Sequence, residues 1–200
     1  PGGGSSPCVG APGDATRGWQ GAVLAPADGE VLLTDEERHP DLFWAIRGGG
    51  GNFGVATRLC YRLHPLPSVV GGFLVLPATP EHLATFMGVL EEAPEELSGI
   101  VNVMPVPPMP FVAPEHHGMM SIFALLAYAG DTDAGLRALA PLRAIAPPFA
   151  DTIAEMPYPA LFPPDEHPDV QPTAVGACLY RDDFGIDEAR DVIAALEASD

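Results

Sequence analysis

The chain contains no lysine. Its nine basic residues are all arginine, set against 27 acidic ones for a net charge of −18. Between Arg62 and Arg137 there is no arginine at all. Nucleic-acid binding rests on clustered positive charge, and anchoring to anionic lipid needs a polybasic segment, so the composition argues against both kinds of partner. A Walker-type phosphate loop is excluded by the missing lysine. Long apolar runs are missing too, and none approaches the ~20 residues of a membrane-spanning helix. The three cysteines, Cys8, Cys60 and Cys178, are far apart and form no CxxC pair, which removes zinc-ribbon and thioredoxin-like sites. An odd number of distant cysteines fits a reducing compartment. The start of the sequence has no initiator Met, basic n-region or apolar h-region, so a cytoplasmic location is expected.

Glycine and proline, by contrast, are abundant: 22 and 24 of 200 residues, about twice their usual combined share. Apolar residues make up 47%, which is ordinary for a chain that buries a core. The prolines stand among apolar residues, as in a loop-rich globular protein. Residues 1–18, "PGGGSSPCVGAPGDATRG", lack periodicity and read as a disordered segment or linker.

The first structured stretch carries two apolar runs, 22–25 and 31–33, on either side of "PADGE", an Asp-Gly hairpin signal. Thr34 and Glu37 fit a capping box. Pro40 suits a first helical position and Asp41 a helix N-terminus, so "DLFWAIR" reads as a short helix that glycine ends. Phe43 and Trp44 are expected to anchor it in the core. Beyond the glycines, Val55, Thr57, Leu59, Tyr61 and Leu63 alternate with Ala56, Arg58, Cys60, Arg62 and His64, a period-2 strand. Cys60 is expected there as a small core residue.

A second unit follows. "VVGGFLVLP" is strand-like. Thr79 and Pro80 open a helix whose Leu83, Phe86, Met87 and Leu90 share a face. Strands follow at "SGIVNVMPV" and "MMSIFALLAYAG". A helix from Asp131 or Thr132 is expected to bury Leu136, Leu139 and Ala140. After a long loop come a strand, "AVGACLYR", and a last helix with Ala189, Val192, Ile193 and Leu196 on one face. Strands alternating irregularly with helices predict an α+β fold, an antiparallel sheet with helices on one face.

Candidates for chemistry outside the glycines are few. His116 and His117 are adjacent with no further ligand at metal spacing, so no metal site is expected. Glu91, Glu92, Glu95 and Glu96 read as a solvated helix end. Tyr128, Tyr158 and Tyr180 suit core or rim packing, with a substrate-pocket role as the alternative.

The glycine run is the main puzzle: Gly48 to Gly51 are consecutive, and Gly54 follows. Gly49, Gly51 and Gly54 satisfy G-x-G-x-x-G, but the order is helix then strand, the inverse of a dinucleotide-binding turn. Five glycines in seven positions cost backbone entropy that an ordinary turn does not require. The excess points to close approach of the backbone to another strand or to a ligand.

The wider stretch "HPDLFWAIRGGGGNFGVATRLCYRLHP" resembles a signature of FAD-linked oxidases of the berberine bridge enzyme type, in the vanillyl-alcohol oxidase/p-cresol methylhydroxylase (PCMH) flavoprotein superfamily. The match is strongest over residues 40–57, with Ala56 as a small departure, and the resemblance extends over about residues 22–200. It implies FAD as cofactor, a small-molecule substrate and hydride transfer from an alcohol, amine or sugar carbon with O2 as acceptor. It implies that residues 19–67 form the C-terminal part of a PCMH-type FAD-binding domain and residues 68–200 part of an antiparallel-sheet substrate domain that roofs the flavin. By position, the backbone of Gly51, Asn52, Gly54 and Val55 would approach the adenine and pyrophosphate side of FAD. The family's main pyrophosphate loop, its flavin-linking residues and its catalytic region match nothing in this sequence. The alternative is a truncated, non-catalytic α+β scaffold or partner-binding protein that holds no flavin.

Overall fold

The computed structural model describes residues 18–63, 65–161 and 183–198. Most of the N-terminal linker-like stretch, with Cys8, lies outside the described residues. So do His64, the expected strand at 174–181, and with it Cys178 and Tyr180. The chain divides between Pro65 and Leu66 into two compact units.

The first unit is a three-stranded antiparallel sheet in the order β2-β1-β3, built from β1 (Trp19–Ala25), β2 (Leu32–Thr34) and β3 (Val55–Tyr61). The predicted hairpin joins β1 to β2, and its turn is closed by Gly29 N–H donating to the Pro26 carbonyl at 3.1 Å. Helix α1 (Pro40–Ile46) starts at the predicted proline. The capping box does not form. Thr34 is fully buried and its hydroxyl donates to the His39 carbonyl at 3.2 Å. The turn before the helix is held instead by Asp35, whose Oδ1 accepts from the amides of Glu37 and Arg38 at 3.0 and 2.7 Å. His39 then enters the left-handed region at φ 50 to aim α1. Trp19, Ala22, Leu24, Phe43 and Ile46 form the core of this unit.

Strict alternation along β3 is not observed. Two register shifts interrupt its pairing with β1, between Trp19 and Gly21 and between Val23 and Leu24. Thr57 is the extra residue on β3 at one and Gln20 the extra residue on β1 at the other, as in β-bulges. Ala56, Leu59 and Tyr61 therefore share the core side with Leu24, Ala22 and Trp19, while Val55 pairs with Ala25 on the other side. Cys60 faces solvent and is not a core residue. Pairing with Gly21 puts it on the open sheet face, 3.9 Å from Gln20 Oε1.

The second unit is a five-stranded antiparallel sheet in the order β5-β6-β4-β7, with β8 also paired to β4. The strands are β4 (Val69–Pro77), β5 (Leu97–Pro105), β6 (Met120–Tyr128), β7 (Ala150–Asp151) and β8 (Ala154–Met156). Helices α2 (Pro80–Glu91), α3 (Thr132–Arg143) and α4 (Ile186–Glu197) accompany it. Thr79 caps α2, accepting from His82 N–H at 3.1 Å, and Asp131 caps α3, accepting from Ala134 N–H at 2.9 Å. Every second residue of β4 and β6 (Val70, Leu74, Leu76; Ile122, Ala124, Leu126, Tyr128) packs against Leu83 and Phe86 of α2, Leu139 and Leu142 of α3, and Ala189 and Ile193 of α4. The predicted α+β arrangement, helices on one sheet face, is what forms. The face of α3 differs from expectation: Gly135, Leu139 and Leu142 are buried, while Leu136 and Ala140 are exposed. The stripe runs i, i+4, i+7 and lets glycine carry the helix close to the sheet. In α4, Val192 stays exposed.

The short strands β7 and β8 have no signal in the sequence. They form one edge of β4, interrupted where Gly72 turns to φ +144. Thr152 fills the gap: it accepts from Phe73 N–H through Oγ1 at 2.8 Å and donates its own N–H to the Phe73 carbonyl at 2.9 Å. Arg143, at the end of α3, ties this edge down with bonds to both Asp151 carboxylate oxygens at 2.6 and 3.0 Å.

Candidate functional site

In the first unit, the glycine run is a turn from α1 into β3. Arg47 N–H closes α1 on the Trp44 carbonyl at 3.2 Å, and its guanidinium covers the Phe43 ring at 4.7 Å. A 3-10 turn, Gly50–Phe53, then leads into β3. Each glycine answers a different demand. Gly48, Gly50 and Gly54 have positive φ, at 120, 69 and 118. A Cβ on Gly49 would lie 2.3 Å from the Ala45 carbonyl oxygen. One on Gly54 would lie 2.6 Å from that of Ala25. Gly51 alone has neither an unusual φ nor any atom within 4 Å of the Cβ it lacks.

The turn is braced from within, because Asn52 Nδ2 donates to the Gly49 carbonyl at 3.0 Å. Its outer surface, residues 48–52, is exposed. Backbone amides on a surface free of side chains are the kind of donor that anionic groups use. Gly51 and Asn52 lie on this open surface, whereas Gly54 is packed against β1 and Val55 is an exposed residue of β3. A hollow of about 420 Å³ elsewhere in this unit is lined by Asp35, Glu36, Glu37 and Arg62. Its three carboxylates against one arginine make it a poor place for a phosphate.

In the second unit, the sheet face opposite the helices has its own cluster. Val75, Phe123, Val106, Val112 and Ala150 are buried there. Phe73 stacks on Phe111 at 5.3 Å and 12°, and Phe123 tilts onto both at 5.2 and 6.5 Å. Phe111 comes from the proline-rich loop after β5, which folds back over the strands. The same loop sets His116 flat on Phe149 at 4.3 Å and fixes His117, whose Nε2 lies 3.2 Å from the Val112 carbonyl. Among the described residues no group of three metal-ligating side chains converges. Of the tyrosines, Tyr128 is buried in the helix-side core and Tyr158 is half-buried. No pattern in the sequence joins Phe73, Phe111 and Phe123, because they come from three separate segments. The only local signal was the density of Phe and Met in "MPFVAP" and the strands beside it.

No helix among the described residues is long and apolar enough to cross a membrane. No protein-family model matches the chain. Individual relatives do. (R)-6-hydroxynicotine oxidase of Paenarthrobacter nicotinovorans is 31% identical over 139 residues, 69% of this chain and 29% of the relative. FAD-linked oxidoreductase pgmH of Aspergillus terreus is 30% identical over 169 residues, 78% of this chain and 33% of the relative. The crystal structure of 6-hydroxy-D-nicotine oxidase from Arthrobacter nicotinovorans superposes with a TM-score of 0.69 at 27% identity, covering 80% of this chain and 34% of that one. BBE-like 1 of Physcomitrella patens shares the fold, with a TM-score of 0.61 at 22% identity over 78% of this chain and 32% of that one. The chain thus spans about a third of the length of the proteins it matches.

Proposed function

The chain is a homologue of FAD-linked oxidoreductases, and from that premise we propose that it serves an FAD-dependent oxidase, closing the FAD cradle with its first unit and facing the substrate with its second. The carrying observation is Gly51, whose missing side chain nothing in the fold demands. A glycine there keeps the open surface of the turn flat, so that a large anionic ligand can lie against the backbone of residues 48–52. Gly51 and Asn52 would then hold the adenine and pyrophosphate side of FAD. Gly54 and Val55 would shape the cradle from behind, as the turn meets β3.

Bound FAD would supply the electron acceptor, which takes hydride from an alcohol, amine or sugar carbon and is reoxidised by O2. The task of this chain is orientation. The apolar sheet face around Phe73, Phe111 and Phe123 would seat the substrate and keep water away from the reacting carbon. The relatives' names support the class of reaction, and substrate identity lies in finer features of that face.

The test is a visible spectrum of the purified protein with and without added FAD. A flavin band near ~450 nm that survives desalting, together with a rise in melting temperature on adding FAD, is the expected result. Replacing Gly51 with Val should weaken binding without unfolding the turn. A colourless protein that FAD does not stabilise would overturn the reading and leave a scaffold without flavin.

A further inference from the structure

We propose that His116, with the aromatic face beside it, is a subsite for a flat apolar ring carrying a hydroxyl or amine donor. The inference rests on reading this face as the substrate side. Phe73, Phe111, Phe149, Met104 and Met109 are each only half-buried around the buried Phe123, so their edges form an apolar strip. Flat rings find offset or tilted partners on such a strip, and methionine adapts to their shape.

His116 stands at its margin and is held from both sides. Its backbone is fixed in the loop, with its N–H donating to the Ala113 carbonyl at 3.0 Å and its carbonyl accepting from Met119 N–H at 3.1 Å. Its ring lies on Phe149. Its neighbour His117 has a carbonyl for its ring nitrogen, but the ring nitrogens of His116 have no hydrogen-bond partner among the described residues. A neutral imidazole always keeps one nitrogen as an acceptor. A half-buried acceptor beside an apolar strip suits a ligand that brings both a ring and a donor.

The charged groups around it leave that acceptor free. Glu115 and His117 are on the same turn, and Glu115 is exposed. Asp151, just beyond Phe149, pairs with Leu74 of the helix side and is engaged by Arg143. Among the described residues no carboxylate pairs with the imidazole.

Phenol and toluene, nearly equal in shape, separate the ring from the donor. Each is titrated into the flavin-free protein, following by NMR the His116 ring protons and the aromatic signals of Phe73, Phe111 and Phe123. Both probes should move the phenylalanine signals. Phenol should bind about three- to tenfold more tightly than toluene, the worth of one hydrogen bond. That preference should vanish in His116→Phe, while His116→Gln, which keeps an acceptor, retains part of it. A preference that survives His116→Phe, or phenylalanine signals that neither probe moves, overturns the proposal. Because no FAD is present, the outcome is separate from the flavin reading: probe binding without FAD binding would sink only the latter, and the converse only the subsite.

Discussion

Phe43 and Trp44 are neighbours in sequence with opposite surroundings: Phe43 is 1% exposed in the core of the first unit, and Trp44 is 73% exposed on the far side of the same helix. A seven-residue helix has one buried stripe, and Phe43 shares it with Ile46. The larger aromatic is the one left out. Phe43→Ala should cost about 3–5 kcal/mol, whereas Trp44→Ala should change stability by less than about 0.5 kcal/mol. Urea denaturation of the two variants distinguishes them. A large loss for Trp44→Ala would mean that the helix buries the other face.

The glycine run should separate in the same assay. Gly49→Ala and Gly54→Ala force a Cβ into carbonyl oxygens at 2.3 and 2.6 Å, and Gly54 adds a backbone conformation that alanine resists. Each should lose at least about 2 kcal/mol or fail to fold. Gly51→Ala meets nothing and should be neutral or gain a few tenths of a kcal/mol from lower unfolded-state entropy.

Thr152 offers a test of the edge strands. Its hydroxyl is the acceptor for Phe73 N–H where Gly72 breaks the ladder. Thr152→Val keeps the shape and removes the acceptor, leaving a half-buried amide unpaired, for a loss of about 1–3 kcal/mol. Hydrogen exchange at the Phe73 amide should rise in that variant before exchange in the centre of β6 does.

Acid should loosen the turn before α1. The Asp35 carboxyl is held below its ordinary value, first by the Arg38 side chain and then by the Arg38 backbone amide. A carboxyl depressed in the folded state stabilises above its unfolded value, about pH 4, and the benefit is lost as pH falls through the lower, folded value. Asp35→Asn should therefore be less stable at neutral pH, and its deficit should shrink as pH drops below about 4. Denaturation midpoints measured from pH 7 to pH 2 follow this. A deficit independent of pH would show that the charge contributes nothing.

Much of this was legible in the sequence, and the rest failed for local reasons. The caps at Thr79 and Asp131, the first residue of α1 and the long strands follow from residue types that act on their immediate neighbours. Cys60 was misplaced because alternation was carried through Thr57, where the strand bulges. No side chain caps α1: Thr34 is buried beneath the turn and Asp35 braces the turn that precedes the helix. Leu136 was counted toward the core because a short helix offers two overlapping stripes, and only contact with Val70 and Tyr128 chooses the one through Gly135. The open turn surface at Gly51 was suggested by glycine excess, yet only the geometry separates it from four glycines with structural causes.

The two bulges between β1 and β3 have a joint effect. Ala25 pairs with Val55 and Leu24 with Ala56, and the extra Thr57 then slides the pairing by one residue through Val23–Arg58, Ala22–Leu59 and Gly21–Cys60. The extra Gln20, on the opposite strand, slides it back, so that Trp19 meets Tyr61 in the original phase. The insertions cancel. Deleting either residue alone would leave one end of the ribbon out of step with the other, pulling Trp19 off Tyr61 or Ala25 off Val55. Deleting both would return a ribbon without bulges whose ends are still matched, at the loss of the added local twist that bulges give.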